Sequence, residues 1–159
     1  MTDTANFTES EKAFLSKAEQ YCVTGEQYRL SVEKKLLSWG ADSDAADKII
    51  AHLCDNDFIN EARYCRIYCE SKLHLQKWGR KKIVYQLRMK GIDNAIIDEA
   101  ISNIDPEQYR DTLAQLAAAK KRTLHEADPM RCRQKLMAFL ASHGFEMNEI
   151  LAALQDING

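Results

Sequence analysis

Lys77-Trp78-Gly79-Arg80-Lys81-Lys82-Ile83-Val84-Tyr85-Gln86-Leu87-Arg88-Met89-Lys90-Gly91-Ile92 is the stretch on which the reading of this chain turns. Ile83, Val84 and Leu87 lie at helical spacing, and most of the remaining side chains are basic. Gly91 stands where helices end in the left-handed conformation. The stretch therefore predicts one amphipathic, cationic helix over 79–90. A helix closed by glycine and followed by a second helix recurs on either side, which makes this helix the middle member of a repeat.

The registers can be counted from Gly40, Gly91 and Gly144. Four residues before these glycines stand Leu36, Leu87 and Leu140, and eight before stand Val32, Ile83 and Leu136. Ten residues after them stand Ile50, Ile101 and Leu154, and thirteen after stand Leu53, Ile104 and Ile157. The separations of 51 and 53 residues define the period. One such unit cannot bury its apolar stripe alone, so the units are expected to pack in series. The predicted fold is all-α, three tandem three-helix repeats forming an elongated, curved array.

Outward from the central helix, the pattern predicts nine helices. Residues 1–8 read as a disordered N-terminal tail, 9–57 as repeat 1, 58–104 as the basic repeat 2, and 105–159 as repeat 3. Thr8-x-x-Glu11 is a capping box for a first helix over 9–22. Helices follow over 26–39, with Leu36 and Leu37 inward, and from Ser43, read as a cap, to 55. A long helix over 60–76 counts Ala62, Cys65, Ile67, Cys69 and Leu73 among its apolar members. Asp93 or Asn94 starts the sixth helix. Asp105-Pro106 and Asp128-Pro129 each place an N-cap before a proline in the first turn, opening the seventh and eighth. The ninth, over 146–157, holds Met147, Ile150, Leu151 and Leu154.

The 159 residues carry a net charge of −2 that hides an uneven distribution. From Arg63 to Lys90 there are nine Lys and Arg against one acid, Glu70, whereas the flanks carry −6 and −4. A cationic island between acidic flanks suggests a local anionic partner. No window approaches the ~18 apolar residues of a membrane span. The first residues lack the basic-then-apolar layout of a signal peptide, so a cytoplasmic location is expected. The five cysteines form no paired-ligand framework. Cys65 and Cys69 sit one turn apart and His52 precedes Cys54, but structural zinc wants tighter Cys-x-x-Cys turns. These thiols are read as small core residues of a reducing compartment, and no metal or cofactor is expected. His52, His74, His125 and His143 are scattered, and neither a Gly-rich phosphate loop nor a Ser-centred elbow is present. No catalytic residues and no enzymatic activity are expected.

The sequence resembles the RecX family, bacterial regulators of the recombinase RecA. The specific match is Lys77-Trp78-Gly79-Arg80-x-Lys82-Ile83-x-x-x-Leu87-x-x-Lys90-Gly91-Ile92, continuing through Ile97-Asp98-Glu99-Ala100. Phe58-Ile59-Asn60-Glu61-Ala62-Arg63-Tyr64 resembles the family's lead into the long helix, with Asn60 where an acid is usual. Lys35-Leu36-x-x-Trp39-Gly40 keeps the pattern in the first repeat, and Arg133-x-x-Leu136 with Gly144-Phe145 in the third. The resemblance implies a non-enzymatic modulator that binds RecA, above all its filament on single-stranded DNA; nothing in the sequence demands more than a monomer. It implies inhibition of recombinase, ATPase and coprotease activities. The residues themselves supply the cations for phosphate: Arg63, Arg66, Lys72, Lys77, Arg80, Lys81, Lys82, Arg88 and Lys90. Lys81, Arg88 and the pair Tyr85/Lys82 fall on or beside the face opposite Ile83 and Leu87. Trp78, at the helix entrance, is either a staple against its own helix or a contact with base or protein. The alternative is a stand-alone helical DNA-binding or adaptor module acting without RecA.

Overall fold

The computed structural model describes residues 4–158, and among them it forms nine helices and no strand. In chain order these are α1 (Glu9–Thr24), α2 (Arg29–Ser38), α3 (Ser43–Asp55), α4 (Glu61–His74), α5 (Arg80–Met89), α6 (Asn94–Ser102), α7 (Pro106–Thr123), α8 (Pro129–Ser142) and α9 (Met147–Asn158).

The helices start where short polar side chains can take up amide donors that no helical carbonyl reaches. The Thr8 hydroxyl accepts from Glu11 N–H (3.1 Å) while Thr8 N–H donates to the Glu11 carboxylate (2.8 Å), a complete capping box. Asn60 caps α4 through its side-chain oxygen, accepting from Arg63 N–H at 2.9 Å, so the amide does the work of the expected acid. Asp105 and Asp128 cap α7 and α8 ahead of their prolines. At α3 the cap is Asp42, not Ser43: its carboxylate accepts from Ala45 N–H at 2.8 Å.

Gly40, Gly91 and Gly144 are the three described glycines with positive φ, at 102°, 77° and 94°. The counting origin of the repeat is thus a conformational one. After Gly40 and Gly144 the chain closes in the same way, Ala41 N–H donating to Leu36 O and Phe145 N–H to Leu140 O. Leu36, Leu87 and Leu140 are fully buried, and Val32, Ile83 and Leu136 nearly or fully so. Tandem three-helix repeats are therefore built on common registers.

The helices gather into two compact units. The first takes residues up to Cys65 together with Lys90–Ile92; its core joins Leu15 and Ala18 of α1, Val32 and Leu36 of α2, and Ile49, Ile50 and Leu53 of α3. The second takes Arg66–Met89 and the chain from Asp93 onward. There Leu73 of α4 enters the core formed by Tyr109, Leu113, Leu136, Leu140, Phe145, Ile150 and Leu154. One buried residue of the second repeat, Leu73, thus joins the core of the third.

Several apolar residues assigned inward lie outward instead: Leu37, Ile67, Met147 and Leu151 are 40–52% exposed. Met147 and Leu151 border the buried stripe of their helix, whereas Ile67 lies across α4 from Cys65 and Cys69. The expected tail over 1–8 falls partly on residues 1–3, outside the described residues. Of the remainder, Phe7 N–H bonds to Thr4 O, and the Phe7 ring packs edge-on against His52 at 5.2 Å. Among the described residues, no helix is long and apolar enough to cross a membrane. Cys65 and Cys69 are buried, and burial pushes the Cys65 thiol up to about 11, which suits a core residue.

Candidate nucleic-acid interface

The ten residues singled out from the sequence divide between the two units. Arg63 and Lys90 belong to the first. Arg63 Nε donates to both carboxylate oxygens of Glu26 (2.6 and 2.8 Å), and its Nη atoms reach the Asp57 carboxylate (2.9 Å) and the Asp57 carbonyl (3.1 Å). Asp57 has a left-handed backbone (φ 63°), so this guanidinium fixes the turn after α3. Arg63 is thus a brace, paired with two carboxylates. Lys90 places its ammonium over the Tyr28 ring, 4.9 Å from the centroid.

In the second unit, α5 is seated by the third repeat. Gly79 N–H donates to His143 O (2.7 Å), Arg80 N–H to the Tyr109 hydroxyl (3.0 Å), and Lys81 N–H to Gly144 O (3.0 Å). A helix start normally leaves such donors to water or a side-chain cap; here another repeat supplies the acceptors. The approach is so close that a Cβ on Gly79 would lie 2.4 Å from the Gly144 carbonyl carbon. A Cβ on Gly144 would lie 2.4 Å from Lys82 Cβ. His143 Nδ1 completes the seat at 2.8 Å from the Lys77 carbonyl, beside a left-handed Lys77 (φ 58°). Because these amides are already bonded, any phosphate contact at α5 must come from side chains.

Arg80 belongs to the same seat. Its guanidinium stacks 3.8 Å from the Tyr109 ring centroid and donates to Glu146 at 2.8 Å. The Tyr109 hydroxyl donates to the other Glu146 oxygen. Burial alone would raise the Glu146 carboxyl, but the bonds from Tyr109 and Arg80 outweigh it and hold it below its ordinary value. Burial, then the Glu146 bond, raises Tyr109, keeping it a neutral donor. Arg80, like Arg63, is thus engaged by a carboxylate.

The other cations are differently placed. Lys72 and Lys82 each set an ammonium 4.8 Å from the Trp78 ring centroid. Trp78 meets Tyr68 edge-on at 6.4 Å, and Lys72 also covers Tyr68 at 5.4 Å. Trp78 thus sits in a cation-flanked aromatic cluster built from α4 and α5. Lys77 Nζ donates to the His74 carbonyl (2.7 Å) and Arg88 Nε to Asn94 Oδ1 (3.0 Å), partners that leave both charges unneutralised. Arg66 and Lys81 are exposed. With no acid on α5, every charge the helix carries is positive.

Tyr109, His143 and Glu146 were invisible to sequence reasoning. They meet α5 across 29 to 66 residues of chain, and no local pattern marks such a partner. Tyr85, placed by the sequence on or beside the face opposite Ile83 and Leu87, is 61% exposed between Lys81 and Arg88.

Comparison with known proteins accords with this geometry. The family profile described as RecX, second three-helix domain, matches residues 60–101, and RecX, third three-helix domain, matches 107–154. The regulatory protein RecX of Clostridium tetani is 33% identical over 128 residues, 79% of this chain and 58% of that protein. The Clostridium perfringens protein of the same name is 35% identical over 114 residues, 70% of this chain and 53% of its own length. The match thus spans little more than half of these two relatives. The crystal structure of RecX from Lactobacillus salivarius superposes with a TM-score of 0.85 at 26% identity, covering 93% of this chain and 96% of that one. With both profiles seated on the helices that carry the glycine registers and the α5 seat, this chain belongs to the RecX family.

Proposed function

We propose that this chain is a regulatory protein that binds RecA, engages its filament on single-stranded DNA, and inhibits recombinase, ATPase and coprotease activity without catalysing a reaction. The relatives named regulatory protein RecX support the regulatory role. One observation carries the nucleic-acid half of the reading: α5 presents Lys81, Lys82 and Arg88 with no acid on the helix, after Arg80 has been neutralised inward by Glu146. Arg66, Lys72 and Lys77 extend the supply of cations in the same unit, with Trp78 among them, and Lys90 is a further candidate in the first unit. Arg63 and Arg80 act by holding the scaffold. Such contacts take up phosphate charge and read no base edge. The protein acts in the cytoplasm, where its nucleoprotein target is, and as a monomer.

The test is RecA ATP turnover on single-stranded DNA with increasing amounts of the protein. Turnover is expected to fall. The Lys81→Ala/Lys82→Ala variant is expected to inhibit less, with thermal melting nearly unchanged. Undiminished turnover at saturating protein would overturn the reading. Steeply salt-dependent duplex binding with no effect on RecA would replace it by a stand-alone DNA-binding module.

A further inference from the structure

The two aromatic side chains at the cationic helix are in opposite situations. Trp78 is partly buried, with Lys72 and Lys82 ammoniums over its ring and Tyr68 against it. Tyr85 projects from the outer face of α5 with 61% of its surface exposed. Lys81 lies one turn before it, and Arg88 and Met89 lie one turn after, both exposed. An exposed ring bracketed by cations at i−4 and i+3 is the pairing that single-strand binders use. Phosphates meet the cations, and an unstacked base lies on the π face. A duplex offers phosphates but keeps its bases stacked, so the ring discriminates where lysines alone cannot.

We propose that Tyr85 is a stacking platform for an unpaired nucleobase, with Lys81 and Arg88 receiving the flanking phosphates. This rests on the reading of α5 as a phosphate-facing helix and adds to it the preference for single strands. Charge favours nucleic acid over a protein occupant: the helix has no acid, and the cations beside the ring have no carboxylate partner among the described residues. Met89 widens the apolar floor on the side away from Lys81.

The experiment is fluorescence anisotropy of the full chain with labelled oligo-dT and with an abasic strand of equal length, across a salt series. Tyr85→Ala is expected to weaken oligo-dT binding about tenfold, equivalent to about 1.4 kcal/mol and within the range for one base–aromatic stack. Its salt slope should match that of the parent, because no cation is lost. Tyr85→Phe should bind like the parent, and Tyr85→Leu, which keeps bulk without a π face, like Tyr85→Ala. On the abasic strand all four proteins should bind alike. Equal oligo-dT affinity for parent and Tyr85→Ala overturns the proposal, as does an equal loss on both strands. Normal strand binding by Tyr85→Ala with weakened association to RecA overturns it in favour of a protein contact. If Lys81→Ala/Lys82→Ala also leaves oligo-dT binding intact, the phosphate-facing reading of α5 fails as well. If the parent binds no strand at low salt, both readings fall.

Discussion

The dipeptide Trp-Gly occurs once in each unit, and its two copies do opposite work. Trp39-Gly40 closes α2: Gly40 is left-handed, and a Cβ placed on it would meet nothing within 4 Å. Trp78-Gly79 opens α5, where a Cβ on Gly79 would run into the Gly144–Phe145 backbone. The tryptophans are nonetheless housed alike, Trp39 beside Tyr21 (6.5 Å) and under Lys17 (5.1 Å), Trp78 beside Tyr68 and under two lysines. Glycine is needed in one unit for its backbone angle and in the other for its missing side chain. Identical letters at a repeat's edge therefore carry no common structural meaning until their neighbours are known.

Four experiments sharpen this contrast. The largest effect is expected of Leu87→Asp, which places an unpaired charge at a fully buried position of the second unit. Urea unfolding should show a loss of about 4 kcal/mol or more. Next comes the glycine pair. Gly79→Ala should cost about 3 kcal/mol or more, because backbone cannot step aside, whereas Gly40→Ala should cost only about 1–2 kcal/mol of left-handed strain. Equal costs for the two would erase the distinction drawn here.

The third concerns acid. Glu146 has a folded pKa below its ordinary 4.5, so its contribution is complete above that value. The contribution disappears as pH falls through the folded pKa. Glu146→Gln should lower stability at neutral pH by about 1–3 kcal/mol and flatten the acid limb of the urea-midpoint profile. An unchanged acid limb would mean that another carboxylate governs it. The smallest stability effect belongs to Lys81→Ala/Lys82→Ala, expected within about 0.5 kcal/mol of the parent. Arg80→Ala should separate from that pair, losing stability as well as any activity, since it removes the partner of a partly buried carboxylate.

Local regularities made most of the helical fold legible. The three glycines, the two Asp-Pro starts and the Thr8–Glu11 box fall where the helices begin and end, because caps are decided within a few residues. The two registers before the glycines were readable for the same reason, whereas Ile101, Ile104 and Ile157 of the registers after them are only partly buried. What could not be read was that a residue of α4 would enter the core of the third repeat, since Leu73 joining Tyr109 and Phe145 is a fact of tertiary packing. The candidate interface was legible as a charge total but not as an arrangement. Arg63 and Arg80 look like their neighbours in sequence, and only Glu26, Asp57 and Glu146 show that they are engaged.

The seat of α5 bears on how such a chain can change over time. Solenoids commonly lengthen or shorten by whole copies, because each joint is like the next. Here three amide hydrogens of the second repeat are lodged on acceptors from the third, at a spot where even a methyl group does not fit. Swapping the order of these two modules, or splicing a fresh copy between them, would strand those hydrogens and wedge the joint open. The pair should be inherited as a block.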